Sequence, residues 1–174
     1  MRLILSFILC SMCLFEIKGD KAATVVKFAK EKIGCGYIWT GSGQICTEAL
    51  IEEKYKKYPE HVSKTAARKW LGKRVYDCSG LVKRAFEQVN IKLEHNSQSA
   101  WKHTNWASSG TISNYPKDKV VVLYRFSKKK NKMEHSGIYI GNGYFVHAKG
   151  CKYGVLMEKM PFTWTHWGIP KGLY

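Results

Sequence analysis

Residues 76–86, Tyr-Asp-Cys-Ser-Gly-Leu-Val-Lys-Arg-Ala-Phe, decide how the rest of the chain is read. Leu81, Val82, Ala85, Phe86 and, just beyond, Val89 recur at helical spacing and form one apolar face. The spacing predicts a helix over 78–89, with Asp77 as its N-cap and Asn90 at its end. Cys78 then lies at the helix start, where free N–H groups and the helix dipole favour an anion. A thiol in that place is expected to have a lowered pKa and to be a good nucleophile. A buried structural cysteine or a disulfide partner fits the same position equally well.

Downstream the period changes. Strands are expected over 120–126, 136–140, 144–148 and 153–158, with 164–170 a candidate for a last one. Gly141-Asn142-Gly143 is a tight-turn signal. Lys128-Lys129-Lys130-Asn131-Lys132 reads as a solvated hairpin tip. His135 begins one strand and His147 ends the next, so an antiparallel hairpin makes them neighbours. A thiolate needs a base, and the base needs an orienting partner. Cys78, His135 and His147 are the right residue types for that set. In a chain with six histidines, two unrelated ones are the competing explanation.

Upstream, Ala22, Val25, Val26, Ala29 and Ile33 predict a helix over 21–33, capped by Asp20 and stopped by Gly34. The glycine-rich, aromatic stretch 34–43 (GCGYIWTGSG) is expected to be an irregular loop; it holds no G-K-S/T element of a phosphate-binding loop. Charged segments at 47–58, capped by Thr47 and ended by Pro59, and at 63–71 read as short helices of a polar surface insertion. Another short helix is expected over 97–106. Helices first and a meander of strands afterwards indicate an α+β fold with an antiparallel sheet.

The 174 residues suit one domain. With 45% hydrophobic and 24% charged residues the composition is that of a globular chain, not a disordered one. Residues 1–19 differ: after Arg2, Leu3 to Phe15 is almost wholly apolar. That run is shorter than the ~20 residues a bilayer crossing needs. It reads as a signal peptide cleaved near Gly19, an uncleaved anchor or buried first helix being the alternative. The remaining chain is expected to be exported, with no stable membrane insertion. The net charge of +16, or +15 without residues 1–19, attracts polyanions. Bacterial walls and nucleic acid both qualify on charge, but no nucleic-acid motif is present, so no nucleic-acid partner is expected. Cys10 and Cys13 would leave with the signal. Of Cys35, Cys46, Cys78 and Cys151, the first two flank the glycine-rich turn and are candidates to pair. The spacings match neither a dense disulfide framework nor a C-x-x-C zinc pair.

The segment at 76–86 resembles the nucleophile motif of the NlpC/P60 cysteine peptidase family, DCSG followed by an apolar helix. Residues 135–148, HSGIYIGNGYFVHA, resemble that family's histidine hairpin, with the same spacing between the two histidines. GCGYIWTGSG resembles its upstream G-x-Y-x-W-G-G element. The resemblance implies a papain-like α+β domain over 20–174, its nucleophile helix packed on the antiparallel sheet, with a helical insertion at about 47–73. It implies Cys78 as nucleophile, His135 as general base, and His147 as the residue that orients His135. It further implies Tyr37 beside the thiol, stabilising the oxyanion, and Asp77 and Ser79 lining the subsite for a stem peptide's free amine. The family's L-P-R-T-S stretch is matched by Leu93-Glu94-His95-Asn96-Ser97 only at Leu93 and Ser97, which gives Ser97 as a substrate contact. His95 stands where the family has Arg; His95 and His103 are read as surface residues.

The activity implied is that of a secreted, monomeric cysteine endopeptidase cutting bacterial peptidoglycan stem peptides, at D-γ-glutamyl-diaminopimelate or -lysine, without metal or other cofactor. An N-acetylmuramoyl-L-alanine amidase of the same fold, a non-catalytic wall-binding module and a zinc site of Cys78, His135 and His147 are the rival readings. The long interval between Tyr37 and Asp77 makes 48–74 either a rim of the cleft or a plain surface elaboration.

Overall fold

The first helix follows its apolar spacing: Ala22, Val25, Val26 and Ala29 are all buried along α1 (Asp20–Glu31). The computed structural model describes residues 20–174, so the expected signal peptide lies outside the described residues. The stretch 34–43 differs from expectation. It contributes two short strands, β1 (Gly36–Tyr37) and β2 (Ser42–Ile45), rather than an irregular loop. Both pair with β3 (Arg74–Tyr76), β1 in parallel and β2 antiparallel, to make a three-stranded sheet. β3 runs straight into Asp77, and its buried backbone groups need partners. Strands this short and glycine-rich carry no alternation for a sequence pattern to reveal.

Between β2 and β3 lie α2 (Glu48–Lys57) and α3 (Lys64–Arg68), capped by the Thr47 and Ser63 side chains. The insertion is more than a polar surface piece. Ile51, Val62, Ala67 and Trp70 close with Ile38, Cys46 and Val75 into a second small core. Gly36 is required there, because a Cβ at that position would stand 2.5 Å from the Trp70 ring. Cys46 lies in this core and Cys35 packs on the main one, both as free thiols.

α4 (Cys78–Glu87) starts where expected, with Asp77 accepting a hydrogen bond from the Gly80 amide at 2.6 Å. Leu81, Val82, Ala85 and Phe86 are buried. The helix ends two residues early, and Val89 closes onto the Phe86 carbonyl instead. α5 (Ser97–His103) is capped by Asn96 and stops short of 106, because Trp106 opens a strand. That strand, β4 (Trp106–Thr111), was not foreseen; it is an edge strand, largely exposed, with too few apolar residues to show a period.

Five more strands complete the second sheet: β5 (Val121–Ser127), β6 (Lys132–Tyr139), β7 (Tyr144–Gly150), β8 (Gly154–Lys159) and β9 (His166–Pro170). The order is β4-β9-β5-β6-β7-β8, with every neighbouring pair antiparallel. Gly141, Asn142 and Gly143 all take positive φ in the β6–β7 turn, as the sequence signal requires. Lys128–Asn131 form the β5–β6 tip. Val121 to Tyr124 at the sheet centre are wholly buried, with α4 packed over the strands and α1 packed on α4. No helix of the described residues is long and apolar enough to cross a membrane.

Candidate active site

The Asp77 carboxylate ties the small sheet to α4. Its Oδ2 accepts from the Thr40 amide at 2.9 Å, and its Oδ1 accepts from Gly80 N, from Ser79 Oγ at 3.0 Å and from His95 Nε2 at 3.1 Å. The chain passes close behind: Asp77 N donates to Gly41 O at 2.9 Å, and a Cβ on Gly80 would overlap that same carbonyl. His95, expected at the surface, thus belongs to the site, in the place of the family's Arg. His103 is exposed, as expected.

Cys78 follows at the first position of α4, buried with its sulfur 3.8 Å from Ser97 Oγ. Ser97 Oγ donates to Ser136 Oγ at 3.1 Å. Ser136 is the neighbour of His135 on β6. Among the described residues the sulfur's hydrogen-bond contact is with Ser97, not with an imidazole.

The lowered thiol pKa expected from the helix start is overturned. Burial, followed by the Asp77 carboxylate next door, pushes the Cys78 thiol up to about 11, against the pull of the Ser136 and Ser97 hydrogen bonds. A helix terminus supplies only about 0.3–1 kcal/mol to an anion at ordinary exposure, too little to offset burial with a carboxylate beside it.

His135 and His147 meet as the hairpin register predicts, with Nε2 of His135 and Nδ1 of His147 2.9 Å apart. His147 Nε2 reaches Glu158 Oε2 on β8 at 2.8 Å, and Lys149 Nζ holds the other oxygen at 2.8 Å. Burial works to raise the Glu158 carboxyl, but the hydrogen bonds from Lys149 and His147 outweigh it and hold it below its usual range. An ionised carboxylate only accepts, so His147 carries its proton on Nε2 and presents a bare Nδ1. His135 therefore donates from Nε2, and its own Nδ1 keeps the lone pair. Burial, then His147, pushes His135 down to about 3; burial likewise takes His147 down to about 4. Both imidazoles rest neutral.

Aromatic rings fix this pair. Trp164 stacks on His135 with centroids 5.4 Å apart and planes 6° apart, and Phe162 stands 5.3 Å from His147. Tyr37 on β1 is half-buried; burial, then the charges at Cys78 and Asp77, hold its hydroxyl protonated. Of the residues singled out from sequence, Cys78, Ser97, Asp77, Ser79 and Tyr37 thus gather around the α4 start, and His135 with His147 on the adjoining strands. Sequence reading missed Glu158, Ser136, Trp164, Phe162 and the place of His95. Glu158 had one faint signal: an acid two positions beyond Leu156, the strand partner of His147.

A cysteine-bearing helix start set against an antiparallel sheet that presents paired histidines defines the papain-like class of α+β domain. A family model described as the NlpC/P60 family matches residues 50–167, and the chain belongs to that family. Probable endopeptidases of Mycobacterium tuberculosis and Mycobacterium bovis are 35% identical over 86 residues, which is 49% of this chain and 20% of theirs. The chain thus spans about a fifth of the length of these curated relatives. Among solved structures, NlpC1 from Trichomonas vaginalis matches with a TM-score of 0.55 at 20% identity, over 86% of this chain and 45% of that one. The NlpC/p60 domain of the peptidoglycan hydrolase SagA matches with a TM-score of 0.57 at 17% identity, over 85% and 97%. RipD from Mycobacterium tuberculosis, a non-catalytic NlpC/p60 domain protein adapted to peptidoglycan binding, matches with a TM-score of 0.57 at 14% identity, over 87% and 97%. At these identities the likeness concerns the fold alone.

Proposed function

We propose that the protein is an exported cysteine peptidase that hydrolyses a peptide bond in bacterial peptidoglycan stem peptides. The observation that supports this best is the run Glu158–His147–His135, whose hydrogen bonds leave a lone pair on His135 Nδ1, while the adjacent Ser136 is bonded to Ser97, whose hydroxyl lies 3.8 Å from the Cys78 sulfur. The sulfur and imidazole both rest neutral, so the reading is general-base attack: His135 takes the thiol proton as the sulfur adds to the carbonyl. The Cys78 amide and the Tyr37 hydroxyl receive the oxyanion. His135 then returns the proton to the leaving amine, and water, deprotonated by His135, hydrolyses the thioester.

The stem's free amine is assigned to the subsite of Asp77 and Ser79. Asp77 Oδ2 has one protein donor and is the oxygen open to a further one. Ser97 lines the sulfur side of the cleft. The bond proposed is D-γ-glutamyl-diaminopimelate or -lysine. Export rests on residues 1–19 acting as a signal peptide, and the domain is read as a monomer.

Digestion of purified peptidoglycan, with the new amine termini identified by mass spectrometry, tests the bond. New termini at diaminopimelate or lysine support it, and termini at alanine indicate the amidase. A non-catalytic wall binder, the role described for RipD, predicts binding without release by both the parent and Cys78→Ala. Lysis by the parent with binding alone by Cys78→Ala excludes it.

A further inference from the structure

Tyr124 lies in the middle of β5 and is 0% exposed. Its ring packs edge-on against Trp101 and Trp106, with centroids 5.3 and 6.0 Å away. Its hydroxyl is buried and has no hydrogen-bond partner among the described residues. Such a group costs stability and calls for an explanation.

The register shows where the hydroxyl is aimed. Tyr124 stands directly across from Ser136 in the β5–β6 ladder. Side chains opposite each other on neighbouring strands project from the same face. Ser136 Oγ is bonded to Ser97 Oγ, which lies 3.8 Å from the Cys78 sulfur, so the phenol rises from the sheet on the side where α4 begins. Burial, and after it Cys78, keeps the phenol protonated, so it is always a donor.

We propose that Tyr124 is a further catalytic residue: a hydrogen-bond donor held in reserve for the thiolate of Cys78. Beside a neutral thiol the phenol has no good acceptor. When the proton passes from Cys78 to His135, the sulfur becomes one, and the Tyr124 O–H gains its partner while keeping its own proton. A hydrogen bond to an ion is roughly twice as strong as one between neutral groups. The contact therefore favours the ionised sulfur over the thiol and offsets part of the cost that burial and Asp77 impose. The other titratable groups beside the sulfur are Asp77 ahead of α4 and Tyr37 on β1, and the proposed base is His135 on β6. A phenylalanine at 124 leaves them all in place.

The inference deepens the reading of Cys78 as nucleophile, and its test needs no cell-wall substrate. The rate of iodoacetamide alkylation at pH 8 is followed for the full chain and for Tyr124→Phe, with Cys78 resolved from Cys35, Cys46 and Cys151 by peptide mass spectrometry. The variant is expected to alkylate Cys78 about tenfold more slowly, the loss of one charge-assisted hydrogen bond. A merely structural role predicts the opposite, since loosening the core exposes the sulfur and speeds alkylation. Incorporation of 3-fluorotyrosine at 124, a stronger donor of nearly the same shape, should accelerate the reaction. Equal rates across the parent and both variants would overturn the proposal. Normal rate differences without any wall digestion would leave it standing and count against the hydrolase reading instead.

Discussion

Glu158 Oε2 accepts a hydrogen bond from His147 Nε2 at 2.8 Å, and through that bond a residue on β8 sets the protonation of His135 on β6. The carboxylate fixes one tautomer, the tautomer fixes the next, and the free lone pair is left on His135 Nδ1.

Replacing Glu158 with Gln removes that polarity. The amide can donate as well as accept, so His147 is free to present either nitrogen to His135. The expected result is a fall in kcat of about ten- to a hundredfold on a purified stem peptide, with KM little changed; the loss corresponds to one hydrogen bond to a charged group. An unchanged kcat would show that His147 keeps its tautomer without the acid.

The two buried imidazoles make stability sensitive to acid. Their folded pKa values, about 3 and about 4, lie below the ordinary 6.5. Between those limits the unfolded chain takes up protons that the native one refuses. Stability is therefore full above about pH 6.5 and declines as the pH falls from there toward 3. Thermal melts at pH 7.5, 6 and 5 should show a falling Tm, and His147→Gln should flatten the slope.

His95 supplies one of the donors on Asp77 Oδ1. His95→Ala is expected to raise KM several-fold while kcat changes less, because it loosens the carboxylate assigned to the stem amine and leaves the thiol and imidazoles in place. His95→Arg restores the donor and should recover KM. Steady-state kinetics on a stem peptide with a free amine, compared with its acetylated form, provides the check: the acetylated peptide should gain nothing from the arginine.

Trp70 ties the insertion to the rest of the domain. It covers Gly36, belongs to the second core, and donates from Nε1 to Cys151 O at 2.8 Å. Trp70→Ala should cost about 3–5 kcal/mol, the usual range for emptying a buried aromatic site. Urea unfolding measures it. A loss under about 1 kcal/mol would mean that the insertion folds independently of β1 and β3.

Local patterns carried much of this protein. The α4 face, the Asp77 cap and the histidine hairpin lie within short segments whose spacing reflects helix and strand geometry, so they were legible residue by residue. The His135–His147 contact followed from hairpin register alone. The small sheet of β1, β2 and β3 was not legible: its strands are two to four residues long, and two of them are joined to their partner across the whole insertion. The polar look of 47–73 hid a second core, because each short helix there turns only one or two apolar residues inward.

The sequence by itself determined which residues begin the helix and which pair across the hairpin, since those depend on neighbours a few positions away. Tertiary structure alone decided the chemistry of the set. Burial and the adjacent Asp77 reverse the shift that a helix start gives a thiol. A glutamate from a separate strand selects the tautomers, and a phenol on β5, across from Ser136, is buried with no partner among the described residues. These are effects of solvent exclusion and of distances between remote segments, which no local pattern encodes.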